Sequence, residues 1–236
     1  MPARFKFRPG LWQTLAAAAG IALTLALGNW QLGRAHEKNQ LKARIEELAG
    51  GGAINVSSAQ LNAQDVLLRR VEARGMFEPR YSVLIDNRIY HGVAGYDVVM
   101  PLRLGDGSRY VLVNRGWVAG TGDRSRLPEV RTPAGAVTVT GLAVVPGRRF
   151  LELSGKTTEG RVWQNLTLER YRQAMPIAIQ PFLIQQDHGA PDDGLVREWD
   201  PPDLGIDRHY GYAFQWFALA ATILVFYLVT NVKRKT

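Results

Sequence analysis

The chain has 236 residues, of which 46% are hydrophobic and none is cysteine, so disulfides, thiol redox chemistry and thiolate-held metals are excluded. The length suits one soluble domain with anchors. The formal net charge of +8 does not describe a nucleic-acid patch, because Arg4, Lys6, Arg8, Lys233, Arg234 and Lys235 sit in two end segments without an acid and the remainder is nearly balanced.

Residues 1–10 form a basic tail. Residues 11–29 carry no charge and lie between Trp12 and Trp30, a length and an aromatic flanking that predict a first transmembrane helix over 11–30. A cleaved signal peptide is the rival reading, since Ala26-Leu27-Gly28 resembles a small-residue cleavage site. Against it, Leu41, Ile45 and Leu48 continue a helical stripe through a 31–53 extension that ends in Gly50-Gly51-Gly52. Residues 54–208 read as an exported, mostly antiparallel β domain. Strands are expected over 70–77, 81–85, 96–104, 110–113, 136–145 and 181–186. Gly105-Asp106-Gly107 is the turn of a hairpin, Gly141 marks a bulge, and Thr167 caps a short helix with Leu168, Tyr171 and Met175 on one face and Pro176 as its stop. Residues 146–160 and 187–205 read as mobile loops. Residues 211–230 again carry no charge and predict a second span over 209–230, followed by a basic tail at 231–236. The fold class is therefore an α+β membrane protein, with two transmembrane helices flanking a β-rich extramembrane domain. Basic outer segments place both termini in the cytoplasm and the central domain in a periplasm or its organellar equivalent. Arg34, Lys38, Lys42 and Arg44 beyond the first span weaken that charge signal, and Glu37, Glu46 and Glu47 partly offset them.

No nucleophile elbow, zinc-protease His pair, Walker loop or dinucleotide fingerprint occurs. Adjacent acids at Glu46-Glu47 and Asp192-Asp193 leave a membrane-tethered hydrolase as a remote reading, because carboxylate pairs are spatial. Four imidazoles, His36, His91, His188 and His209, are available to a haem iron. His209 opens the second span, with Tyr212, Ala213 and Trp216 at i+3, i+4 and i+7 on its face. That stripe suits a flat macrocycle, and it equally suits packing against the first helix. A histidine resting among headgroups in an aromatic belt is the alternative to a functional ionisable group. In Asn114-Arg115-Gly116-Trp117, which ends a strand, Arg115 is read as pairing with a carboxylate and Trp117 as packing into the core or onto the bilayer, a structural role being favoured; the expectation for variants is a buried Trp117 that carries stability and an exposed Arg115 that serves docking.

These segments together resemble the Surfeit locus protein 1 family of cytochrome c oxidase assembly factors. The resemblance runs over nearly the whole chain: Leu27-Gly28-Asn29-Trp30-Gln31 with Arg34, Arg74-Gly75-Met76-Phe77, and Gly95-Tyr96 with Val98 and Pro101. It continues through Val113-Asn114-Arg115-Gly116-Trp117, Trp163, Pro181, and His209-Tyr210-Gly211-Tyr212-Ala213 followed by Gln215-Trp216-Phe217. It departs in having Asp207-Arg208 where family members often carry Asn before the histidine.

The resemblance implies a non-enzymatic factor in the bacterial inner membrane, or the mitochondrial equivalent, that binds haem a transiently and helps its insertion into the oxidase catalytic subunit. Its partners would be that subunit and the haem a synthesis machinery. His209 would be the axial ligand and the sole metal contact, with Tyr212, Trp216, Arg208 and Arg34 around the macrocycle. Trp30, Gln31, Asn114, Arg115, Gly116 and Trp117 would serve partner binding or structure. The alternative within the same resemblance is a scaffold that docks oxidase subunits without haem.

Overall fold

A computed structural model describes residues 5–105, 107–123, 126–146, 158–188, 193–199 and 204–234. In chain order the elements are β1 (Phe5–Phe7), α1 (Leu11–Gly50), β2 (Ile54–Val56), α2 (Ala63–Val66), β3 (Arg70–Phe77), β4 (Val83–Tyr90), β5 (Val93–Leu104) and β6 (Tyr110–Ala119). They continue with β7 (Val137–Val144), β8 (Thr158–Glu159), β9 (Val162–Trp163), α3 (Leu168–Ala174), β10 (Ile179–Gln186), α4 (Ile206–Asn231) and β11 (Val232–Arg234). Two compact units result: Met1–Arg44 with Pro201–Thr236, and Ile45–Asp200.

The first unit is an antiparallel helix pair. Its helices α1 and α4 are long and apolar enough to cross a membrane, and only 11% of the most apolar window of each is buried, so neither is the core helix of a soluble fold. The first expected span and its extension are one helix of 40 residues, about 60 Å long, twice what a bilayer core requires. The helices meet along a seam of small residues. Thr24, Gly28, Ala35, Ala213 and Ala220 are all buried, at spacings of four and seven residues that keep one stripe facing a neighbour. Close backbone approach over small residues is what holds helices together where lipid removes the hydrophobic drive. A Cβ on Gly28 would lie 2.6 Å from the Phe217 ring, so a larger residue there forces the helices apart. The Thr14 and Tyr227 hydroxyls share a hydrogen bond at 2.8 Å across the pair. Beyond it, the two expected tails pair as strands β1 and β11, with Lys6 opposite Lys233.

In the second unit one mixed sheet runs β2-β3-β7-β10-β6-β5-β4-β9-β8, and β3 also pairs with the end of β5. Gly75, Met76 and Phe77 face Leu104, Arg103 and Leu102, which closes β3, β7, β10, β6 and β5 into a five-stranded barrel. Val71, Ala73, Leu102, Leu104, Val111, Val113, Val139, Phe182 and Ile184 fill one core. The alternate residues Leu112, Leu183, Val83, Ile85 and Val99 form a second, beneath Trp163 and α3. Strands β6 and β10 are buried on both faces, and for that reason neither reads as a simple alternation. Thr167 caps α3 by accepting from the Arg170 N–H at 3.1 Å, and Leu168, Tyr171 and Met175 pack together as expected.

The expected bulge at Gly141 is absent: β7 pairs in regular register through Gly141 with Val71 and Gln186. Its glycine serves close approach instead, since a Cβ there would meet the Gln185 carbonyl oxygen at 2.0 Å. The sheet is mostly antiparallel, as expected, with β10–β6, β2–β3 and β4–β9 as its parallel pairs. Asp106 and residues 147–157, 189–192 and 200–203, which carry much of the expected turn and loops, lie outside the described residues.

Candidate functional site

In the helix-pair unit, α4 begins at Ile206, so His209 sits in its first turn. The antiparallel packing brings it against α1, where its Nδ1 lies 2.7 Å from Gln31 Oε1. An amide oxygen accepts only, so Nδ1 carries the proton and donates, which leaves Nε2 with its lone pair. Metal-binding imidazoles are oriented in this way, by a hydrogen bond from the nitrogen that does not ligate. Gln31 and His209 are separated by 178 positions. Sequence reasoning singled out both but did not pair them. It missed a neighbouring link, Asn39 Nδ2 donating to the Tyr210 hydroxyl at 3.0 Å.

The other expected residues are distributed around this pair. Trp216 is half-buried, one side toward the seam, while Tyr212 is 51% exposed and Trp30 is 58% exposed on the outer flanks. Arg34 is engaged on its own helix by Glu37, at 2.5 Å with both side chains largely exposed. Arg208 is exposed in the first turn of α4. Below His209 a Cβ on Gly28 would meet the Phe217 ring, so the helices lie in close contact there. Tyr212 and Trp216 follow His209 at i+3 and i+7 on α4, an imidazole and aromatic set whose chemistry suits a haem. His36 is exposed and lies 2.9 Å from Gln40, and His91 and His188 belong to the other unit.

In the β unit the Asn114-Arg115-Gly116-Trp117 segment receives a strap formed by residues 193–199. Between Asp97 opposite Trp117 and Val99 opposite Asn114, one residue of β5 faces two of β6. This bulge, at Arg115-Gly116, turns Asn114 and Trp117 to one face of the sheet. Gly116 adopts φ +134°, and a Cβ there would sit 2.6 Å from the Val196 carbonyl oxygen, so only glycine admits the strap. Trp117 then exchanges both backbone hydrogen bonds with Val196, at 2.7 and 2.8 Å. The strap was expected as a mobile loop, yet residues 193–199 are bonded in place.

Arg115 points into the end of the barrel, 4.7 Å over the Phe77 ring. Its side chain is 1% exposed, which corrects the expectation of an exposed docking residue. Its guanidinium donates to Asp193 and to the Arg131 carbonyl, both at 2.8 Å, and Arg197 reaches the same Asp193 oxygen at 2.5 Å. Burial lowers the Arg115 pKa and Asp193 opposes that shift. Asp193 is thus committed to two arginines and is not disposed for acid–base work, while Asp192 lies outside the described residues and Glu46 and Glu47 are exposed on α1. Trp117, expected in the core, is half-buried and donates its indole N–H to the Arg88 carbonyl at 3.0 Å.

Comparison with known proteins agrees with this architecture. The sequence model of the SURF1 family matches residues 18–221, a span that includes the α1–α4 seam, Gln31, the strap and His209. A SURF1-like protein of Rickettsia bellii is 24% identical over 212 residues, covering 88% of this chain and 86% of its own. One of Rickettsia felis is 24% identical over 213 residues, covering 88% and 91%. An uncharacterized SURF1-like protein of Mycobacterium bovis is 31% identical over 144 residues, covering 58% and 52%. On the family match across most of its length, the chain belongs to the SURF1 family.

Proposed function

We propose that this chain is an assembly factor for haem-copper cytochrome c oxidase that holds haem a through His209 and helps its insertion into the catalytic subunit. The observation that carries the reading is the 2.7 Å contact from His209 Nδ1 to Gln31, which presents Nε2 as an oriented ligand at the end of an apolar helix. Haem a is cargo in this reading. The chain's residues bind it on one face, and Tyr212 and Trp216 offer aromatic surface to the ring. Arg208, and Arg34 once released from Glu37, meet the propionates through charge-assisted hydrogen bonds. One imidazole bond without a second tight ligand suits a carrier that must give up its cargo. Both termini are cytoplasmic and the β unit is exported, in the bacterial inner membrane or its mitochondrial counterpart.

The test is co-expression with haem a synthesis and a reduced-minus-oxidised spectrum of the purified chain. His209→Ala is expected to abolish or shift the haem bands while the β unit keeps its melting temperature, and Gln31→Leu to shift the bands or lower occupancy. His91→Ala and His188→Ala should leave the spectrum unchanged. Full occupancy with an unaltered spectrum in His209→Ala would overturn the ligand assignment and favour a scaffold that docks oxidase subunits without haem.

A further inference from the structure

The strap and the β4–β5 hairpin enclose a cavity of about 490 Å³ on the β unit, within the range of small-ligand sites. Its walls include Tyr90, His91, Asp97, Trp117, Glu198 and Trp199. Nothing in the haem reading uses this cavity. Two of its side chains are fixed by hydrogen bonds. Trp117 donates to the Arg88 carbonyl and Trp199 to the Gln186 carbonyl at 2.9 Å, while the Glu198 carboxylate lies near enough to the Tyr90 phenol to raise its pKa. Tyr90 in turn packs against Trp117, with ring centroids 5.2 Å apart. The aromatic walls are therefore preorganised.

The charge of the lining is opposite to that of the chain. Arg88 contributes one positive charge and lies 3.2 Å from Asp97. That ion pair cancels. With His91 counted neutral, as in the chain total, Glu198, exposed on the strap beside the Tyr90 phenol, leaves a formal charge of −1 in a chain of +8. Aromatic faces beside an uncompensated carboxylate attract a cation by ring quadrupole and Coulomb terms together. Ile89, at 71% exposure, lines the cavity, and Val93, at 50%, faces Tyr90 across the hairpin, so a cation arriving on a polypeptide finds apolar surface for its neighbours.

We propose that this cavity is a docking site for a basic side chain, arginine or lysine, presented by an apolar-flanked segment of a partner polypeptide. The bulge at Arg115-Gly116, the strap and Glu198 then act as one device: the bulge aims Trp117 into the cavity, and the strap supplies the acid and the third aromatic wall. A free organic amine shares the cationic chemistry but not the apolar flanks.

The experiment uses the full chain in detergent micelles, with indole fluorescence and indole N–H resonances as readouts. The probes are acetyl-Leu-Arg-Leu-amide, the same peptide with citrulline or glutamate in place of arginine, and free arginine amide. The arginine peptide is expected to bind and to shift the Trp117 and Trp199 resonances. The citrulline peptide should bind about tenfold more weakly or worse, a loss of about 1.4 kcal/mol, and the glutamate peptide should not bind. Glu198→Gln, a change on an exposed residue, should weaken the arginine peptide by a similar factor at unchanged melting temperature. Asp97→Asn, which frees Arg88 to repel the probe, should weaken the arginine peptide by a similar factor. Equal affinity for arginine and citrulline, no binding at millimolar peptide, or indifference to Glu198→Gln each overturns the site. Free arginine amide binding as tightly as the peptide overturns the polypeptide partner. All of these outcomes are independent of whether His209 binds haem.

Discussion

Arg115 shows how a residue's environment reverses an expectation drawn from its type. A basic side chain after a strand suggested an exposed contact, but here the guanidinium is buried against Phe77 and shares Asp193 with Arg197. Removing one member of a buried ion cluster leaves the others uncompensated, at about 3–5 kcal/mol, a large share of a domain's stability. Arg115→Ala is therefore expected to lower the melting temperature of the β unit more than Trp117→Ala, whose indole is half-buried; thermal melts of the two variants decide the order. Asp97 makes a pH prediction. Desolvation raises its pKa, with Arg88 and Asn114 opposing. The folded state then holds the proton to higher pH than the unfolded chain does. Its contribution is fully present below the unfolded carboxylate pKa and is lost as pH rises through the raised folded value. In Asp97→Asn that decline disappears, so the stability difference between variant and parent grows in the variant's favour across this acidic window. Denaturant melts of both proteins at stepped pH measure it.

Among the elements, the α1–α4 seam sets the position of the proposed haem ligand. Gly28 against Phe217 fixes how closely the helices approach, and one turn further Gln31 reaches His209. Gly28→Leu is expected to separate the helices and cut cross-linking between Gly20→Cys and Ile223→Cys by a short thiol-reactive linker several-fold, since a Cβ at position 20 would lie 3.4 Å from the Ile223 side chain. The chain has no other cysteine to confuse the readout. The same substitution should shift the haem spectrum, because the Gln31–His209 contact depends on that spacing. An unchanged cross-linking yield would show that the seam tolerates volume there and that small residues do not set the pairing.

For the whole molecule, the topology prediction follows from two uncharged spans between basic ends. Reporter fusions at the C-terminus and in the exposed turn at Gly122 should report the cytoplasm and the export side respectively. An exported C-terminus would overturn the orientation, and a mature chain starting near Asn29 would favour the signal-peptide reading. The pairing of β1 with β11 brings the two basic segments together.

How far the fold was legible depended on the range of the physics involved. The two spans, β3, the β5–β6 hairpin, β7 and the Thr167 cap were readable because hydropathy, alternation and capping are local properties of the chain. Residues 211–230 carry no charge whatever they pack against, and Thr167 caps whatever α3 later covers. The sequence also marked Gln31, His209 and Asn114 to Trp117 as special. What each does was decided by contacts between positions far apart. Gln31 meets His209 only through an antiparallel helix pair, and Arg115 is buried only because residues 193–199 cross over Gly116. Barrel closure by β3 and β5, and the cavity under the strap, depend on register between strands. No local pattern encodes such a register, because it is selected by the simultaneous packing of both sheet faces.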